Sequence, residues 1–167
     1  MTRLSLLIAL AALVLLPASA AAKAPVCDPD NIQQALIAAG KLTQQDVHFG
    51  ETVDLVRCGE VTADDTIDAV FTVFSGGTAG DTHFGVLRGN ADGSPGALAL
   101  YRSGYKAGIA RHNRRSFDVI QPFYARNDAN CCPSSFRVRR FSWTGSHFKR
   151  GKAKKLRTAP RRFYKRS

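Results

Sequence analysis

Between residues 53 and 149 the chain is a succession of short apolar runs of period two, separated by glycine-rich or polar turns. The runs fall at 53–57, 67–74, 82–88, 97–102, 108–112, 116–123, 135–143 and 146–149. Alternation of that kind puts every second side chain on one face, the pattern of half-buried strands. Neighbouring runs lie about ten residues apart, too close for helical crossovers, so a mostly antiparallel meander is expected. The run 67–74 differs, being apolar at nearly every position after Asp68. A strand of that composition is covered on both faces and belongs in the middle of its sheet. Pro122 has no amide hydrogen, so its strand ends there or lies at an edge. Thr144-Gly145 supplies the turn of a last hairpin.

One helix precedes the strands. Asp28 is placed to cap it, Pro29 suits its first position and Gly40 its stop. Ile32, Ala35, Leu36 and Ala39 make one apolar stripe that needs a sheet to lie on. The expected class is therefore α+β and β-rich: a mostly antiparallel sheet meander with one N-terminal helix packed on it.

The first residues read as a signal peptide. Arg3 stands before the apolar stretch 6–16, and small residues follow it. Cleavage is expected after Ala20 or Ala22. The apolar stretch is shorter than the roughly 20 residues that span a bilayer, and no second one follows, so no integral span is expected after cleavage. Val26 precedes Cys27 where a lipobox needs a small residue, so Cys27 is read as a disulfide cysteine. The expected layout is a signal peptide at 1–22, a disulfide-stapled β-rich domain at 23–150 and a flexible basic tail at 151–167.

The four cysteines are Cys27, Cys58, Cys131 and Cys132. Three pairings are possible. Joining Cys131 to Cys132 closes a strained small ring, so the expectation is that this pair receives one bridge each from Cys27 and Cys58. Export and the absence of any spacer between Cys131 and Cys132 disfavour a zinc site.

Charge is unevenly distributed. Residues 23–81 hold ten acidic and three basic side chains, residues 82–148 three and ten, and residues 149–167 ten basic and no acidic ones. The body is neutral and the C-terminal segment supplies the excess. Lys152, Lys154, Lys155, Arg157, Arg161, Arg162, Lys165 and Arg166 are thus the candidate polyanion-binding residues, through a screened force indifferent to sequence. Outside the cytoplasm the partner implied is an anionic cell-wall polymer or membrane surface, with no specific nucleic acid. The competing role of these charges is intramolecular, against the acidic 23–81 half. Arg137 and Arg139 share a strand face with Phe141 and Trp143, an arrangement that can stack on rings or simply pack arginine stems over them.

Catalytic signals are thin. Asp81 and His83 lie two apart on an expected strand and would share a face, a conceivable general-base pair for a small extracellular hydrolase. The residues 60–68 place oxygen side chains at alternate positions, as a calcium loop does, but Asp65 stands where glycine makes the sharp turn. The glycine-rich loop 75–83 lacks the lysine and helix of a phosphate cradle. His48, His112 and His147 are scattered. No catalytic residue, metal or cofactor is assigned, and the leading expectation is a non-enzymatic protein.

Several segments together resemble a family. They are Cys58-Gly59-Glu60-Val61-Thr62, the loop Gly76-Gly77-Thr78-Ala79-Gly80-Asp81, Asp128-Ala129-Asn130-Cys131-Cys132-Pro133-Ser134, and Trp143-Thr144-Gly145-Ser146. They look like the LppP/LprE-type lipoproteins and related exported proteins of actinobacteria over most of residues 53–150. The resemblance implies an envelope location and no particular activity. This chain departs from it in lacking a lipobox, and in having Ala63-Asp64-Asp65 where relatives often carry Gly-Asp-Gly.

Overall fold

A computed structural model describes residues 24–166. The signal segment expected at 1–22 lies outside the described residues.

Eight strands form two four-stranded antiparallel sheets, each in sequence order. The first holds β1 (Thr52–Cys58), β2 (Ala69–Phe74), β3 (Asp81–Gly89) and β4 (Pro95–Ser103). The second holds β5 (Gly108–Asn113), β6 (Ser116–Phe123), β7 (Ser135–Trp143) and β8 (Phe148–Leu156). The expected meander is thus two meanders, packed face to face. Val70, Phe84, Val86 and Leu100 from the first sheet share a core with Ile109, Phe117, Val119 and Phe141 from the second. Strand β2 is buried on both faces, because its other side carries Phe71 and Val73 against a helix.

That helix, α1 (Pro29–Ala38), is capped as its sequence requires: the Asp28 carboxylate accepts from the amides of Asp30 at 3.0 Å and Asn31 at 3.2 Å. Its buried Ile32 and Leu36 lie in a second core with Val53, Phe71, Val73 and Leu87. Gly85, on β3, leaves the room that Phe71 fills, since a Cβ there would stand 2.6 Å from the Phe71 ring. A second short helix, α2 (Gln44–His48), adds to the single helix expected. Thr43 and Asp46 cap it reciprocally.

Two expectations are corrected. The segment 151–167 is not a flexible tail over its described length. Strand β8 continues to Leu156, pairing Lys154 with Val138 and Lys155 with Arg137. An edge strand needs backbone partners on one side only, and both its faces here are open, so no apolar period marks it. A 3-10 turn, Arg161–Phe163, then lays Phe163, fully buried, on Ala110 and Ile120.

The disulfide pairing also differs. Cys27 joins Cys58, with Cα atoms 5.8 Å apart, and Cys131 joins Cys132. The reason is topological: Cys27 and Cys58 both sit with the first sheet and α1, whereas Cys131 and Cys132 lie in the exposed β6–β7 loop of the second.

Candidate anion-binding site

Strand β8 is the outer edge of the second sheet and carries Lys149, Arg150, Lys152, Lys154 and Lys155, all exposed. Alternation divides them between two faces. On the outer face, Lys152 and Lys154 line a recess of about 440 Å³ with Arg140, Arg162, Val138 and Phe163. Asp118, nearly buried at its floor, takes up Arg140 through bonds of 2.8 and 3.1 Å. That bond holds the Arg140 guanidinium above its ordinary pKa. Lys152, Lys154 and Arg162 remain in excess, and Arg162 lies 5.1 Å from the Phe163 ring.

The other candidate cations are placed as follows. Lys155 lies over Phe123 at 5.7 Å, on the opposite face. Arg157, Arg161 and Lys165 are exposed, and the Lys165 carbonyl accepts from Arg57. Arg166 is neutralised by Asp54 at 2.9 Å, one intramolecular contact with the acidic half. Among the described residues it is the one cation of the ten from Lys149 onward that forms an ion pair.

A second basic feature lies where the sandwich opens between its sheets, on the inner face of β7. Arg102 from β4, Arg137 and Arg139 from β7 and Arg150 from β8 surround a cleft of about 280 Å³. Phe84, Val119 and Phe141 form its apolar floor, and Ser103 and Gln121 add neutral polar groups. Arg137 stacks on Phe123 at 3.8 Å, and Arg139 donates to the Gly151 carbonyl at 3.4 Å. None of the four arginines pairs with a carboxylate among the described residues. The shared face of Arg137, Arg139 and Phe141 was readable in the sequence. The contributions of Arg102 and Arg150 were not: the packing of one sheet on the other brings Arg102 there, and the β7–β8 register sets Arg150 opposite Phe141.

The remaining candidates resolve differently. Asp81 and His83 do not share a face. A bulge at Thr82 sets Phe74 opposite Asp81 and Val73 opposite His83, so the two side chains fall on opposite sides of the sheet. Asp81 is buried and accepts from the Thr72 hydroxyl at 2.8 Å, while His83 stacks on Tyr101 at 5.1 Å. The geometry offers no general-base pair there.

In the 60–68 loop the carboxylates diverge. Glu60 and Asp65 take Arg114, and Asp64 takes Arg88. Burial pushes the Asp64 carboxyl up, but hydrogen bonds from Thr66 and Arg88 outweigh it and bring it down to about 2. Asp68 accepts the amides of Val61 and Thr62 at 2.8 and 2.9 Å, making the turn a structural one. Among the described residues no three His, Cys, Asp or Glu side chains converge as metal ligands.

The vicinal disulfide sits in a loop braced by polar contacts. Lys106 donates to the Asn130 carbonyl at 2.7 Å, Tyr124 to the same carbonyl at 2.8 Å, and Tyr105 to the Asn130 side chain at 2.7 Å. Among the described residues no helix is long and apolar enough to cross a membrane. Comparison of the chain with family models, with curated proteins and with solved structures finds no match in any of the three.

Proposed function

We propose that the protein is an exported, non-enzymatic domain held at the cell envelope by binding a polyanionic component along strand β8 and the segment that follows it. The observation that carries this reading is the unpaired charge: nine of the ten cations from Lys149 onward form no ion pair among the described residues. Five of the nine stand on the ordered edge strand, and the other four on the segment that follows it, which the buried Phe163 seats against the second sheet. Lysines on an edge strand also block edge-to-edge pairing, and that alone would call for one or two. A cation-lined recess on the same strand goes beyond it. The signal segment, the two disulfides and the resemblance to envelope proteins support the export half of the proposal.

Removing residues 151–167 is not a clean test, because Phe163 is buried and the Arg166–Asp54 pair would go with it. Substituting Lys152→Gln, Lys154→Gln, Lys155→Gln and Arg157→Gln together keeps the backbone pairing. Retention of the folded protein on immobilised polyphosphate, and on phosphatidylglycerol vesicles, is then measured across a salt series. The wild-type protein is expected to be retained at low salt and released as salt rises, with the variant released earlier and along a shallower slope. Equal retention of the two would dispose of the proposal.

A further inference from the structure

We propose that the cleft between the sheets is a binding site for a phosphomonoester-bearing sugar unit, distinct from the lysine-rich edge. Four guanidinium groups converge on one recess, and among the described residues no carboxylate pairs with them. Like charges gathered this way repel one another, and the repulsion is relieved by an anion seated among them. The planar forks of arginine match a phosphoryl group edge on, through paired hydrogen bonds. A single carboxylate or phosphodiester brings one negative charge, whereas a phosphomonoester brings nearly two, nearer to what four cations require.

The rest of the cleft describes what carries the phosphoryl group. Its floor is apolar, with Phe84, Val119 and Phe141, so one face of the ligand presents C–H groups. Gln121 and Ser103 can exchange hydrogen bonds with hydroxyls. A cleft of about 280 Å³ admits a small ligand such as one sugar ring with its phosphoryl group. Arg137 and Arg139 are held in place by Phe123 and the Gly151 carbonyl, so half of the charge is already positioned. Arg102 and Arg150 are exposed and free to close over an occupant.

Residues from both sheets form the site, which lets ligand binding tie one meander to the other. A free sugar phosphate and the phosphorylated end of a glycan present the same chemistry. This inference is independent of the edge-strand proposal, and the two fail separately.

The experiment is calorimetric titration of the full mature protein with glucose 1-phosphate, inorganic phosphate and glucose, alongside Arg102→Gln/Arg150→Gln. The expected result is tightest binding of glucose 1-phosphate, weaker binding of phosphate, and none of glucose. The double variant is expected to weaken glucose 1-phosphate at least about tenfold and, since Arg150 also stands on β8, to lower retention on polyphosphate, but by much less than the quadruple substitution on 152–157 does. The quadruple substitution on 152–157 is expected to do the reverse. Both variants alter exposed side chains, and the melting temperature confirms that they fold. A phosphorylated maltooligosaccharide separates the sources: competition at equal affinity identifies a glycan end, and exclusion identifies the free sugar phosphate. Glucose 1-phosphate binding that matches inorganic phosphate, or that survives Arg102→Gln/Arg150→Gln, would overturn the assignment.

Discussion

Thr72 joins two irregularities of the first sheet. A bulge between Val53 and Val56 takes the Leu55 amide out of the ladder, and it donates instead to the Thr72 hydroxyl at 3.0 Å. That hydroxyl in turn donates to Asp81. Burial pushes the Asp81 carboxyl up to about 6, against the opposing hydrogen bond from Thr72. A carboxyl whose pKa is higher folded than unfolded binds more protons in the folded state, so stability falls as pH rises from about 4 to about 6. Asp81→Asn keeps an acceptor for Thr72 and removes the charge. It is expected to flatten that part of the stability profile and to stabilise the protein at pH 7, on the order of 1–2 kcal/mol. Chemical denaturation at several pH values measures it. Asp64 acts in the opposite sense: its carboxyl is depressed, so its contribution is present above about 4 and lost as pH falls toward 2. Thr72→Val leaves the Leu55 amide without an acceptor and is expected to cost about 1–3 kcal/mol in the same measurement.

Among the elements, those with a face against a core were legible and those without one were not. Strands β1 to β7 carry an apolar side that must be buried, and period two exposes it directly in the sequence. Helix α1 was legible for the same reason, helped by Asp28 and Pro29. Strand β8 was legible only at its start, the run 146–149 that holds the buried Phe148; beyond it lysine or arginine takes most positions, so the register there is imposed by β7 and not by its own side chains. The bulge at Thr82 was likewise hidden: one extra residue turns a same-face pair into an opposite-face one, and nothing in the composition of the run announces it. The C-terminal segment is seated by close contact with Gly108, where an added Cβ would meet the Tyr164 ring at 2.8 Å and the Phe163 carbonyl at 3.0 Å. Gly108→Ala is therefore expected to lift residues 159–166 and to raise proteolysis there, with the two sheets intact. The two disulfides should differ in what they contribute. Closing 31 residues between Cys27 and Cys58 restricts the unfolded chain strongly, and its loss is expected to cost about 3–4 kcal/mol; closing neighbours is worth roughly 1. Denaturation of the paired Cys→Ser variants separates them.

For the whole molecule, the arrangement is a stack: α1, the first sheet, the second sheet and the C-terminal segment, with a hydrophobic cluster at each boundary. That the chain is β-rich and antiparallel followed from the spacing of its runs. That it divides after Ser103 into two meanders facing each other did not, because each turn between strands looks alike until the sheets pack. Packing also creates the charge pattern. Arg57 and Asp54 of β1 hold the chain end, and Arg111 of β5 donates to the Cys58 carbonyl at 2.7 Å. The margin where β1 meets β5 is thereby tied, while the side lined by β4, β7 and β8 stays open and basic. On the function proposed above, the C-terminal cations act from a folded strand. Backbone NMR of residues 23–167 during titration with polyphosphate tests it in one measurement. The expected result is extended-strand chemical shifts over 149–156 in the free protein, with perturbations on addition concentrated at 149–157 and Arg162. Random-coil shifts across 151–166, or perturbations that avoid β8, would contradict it.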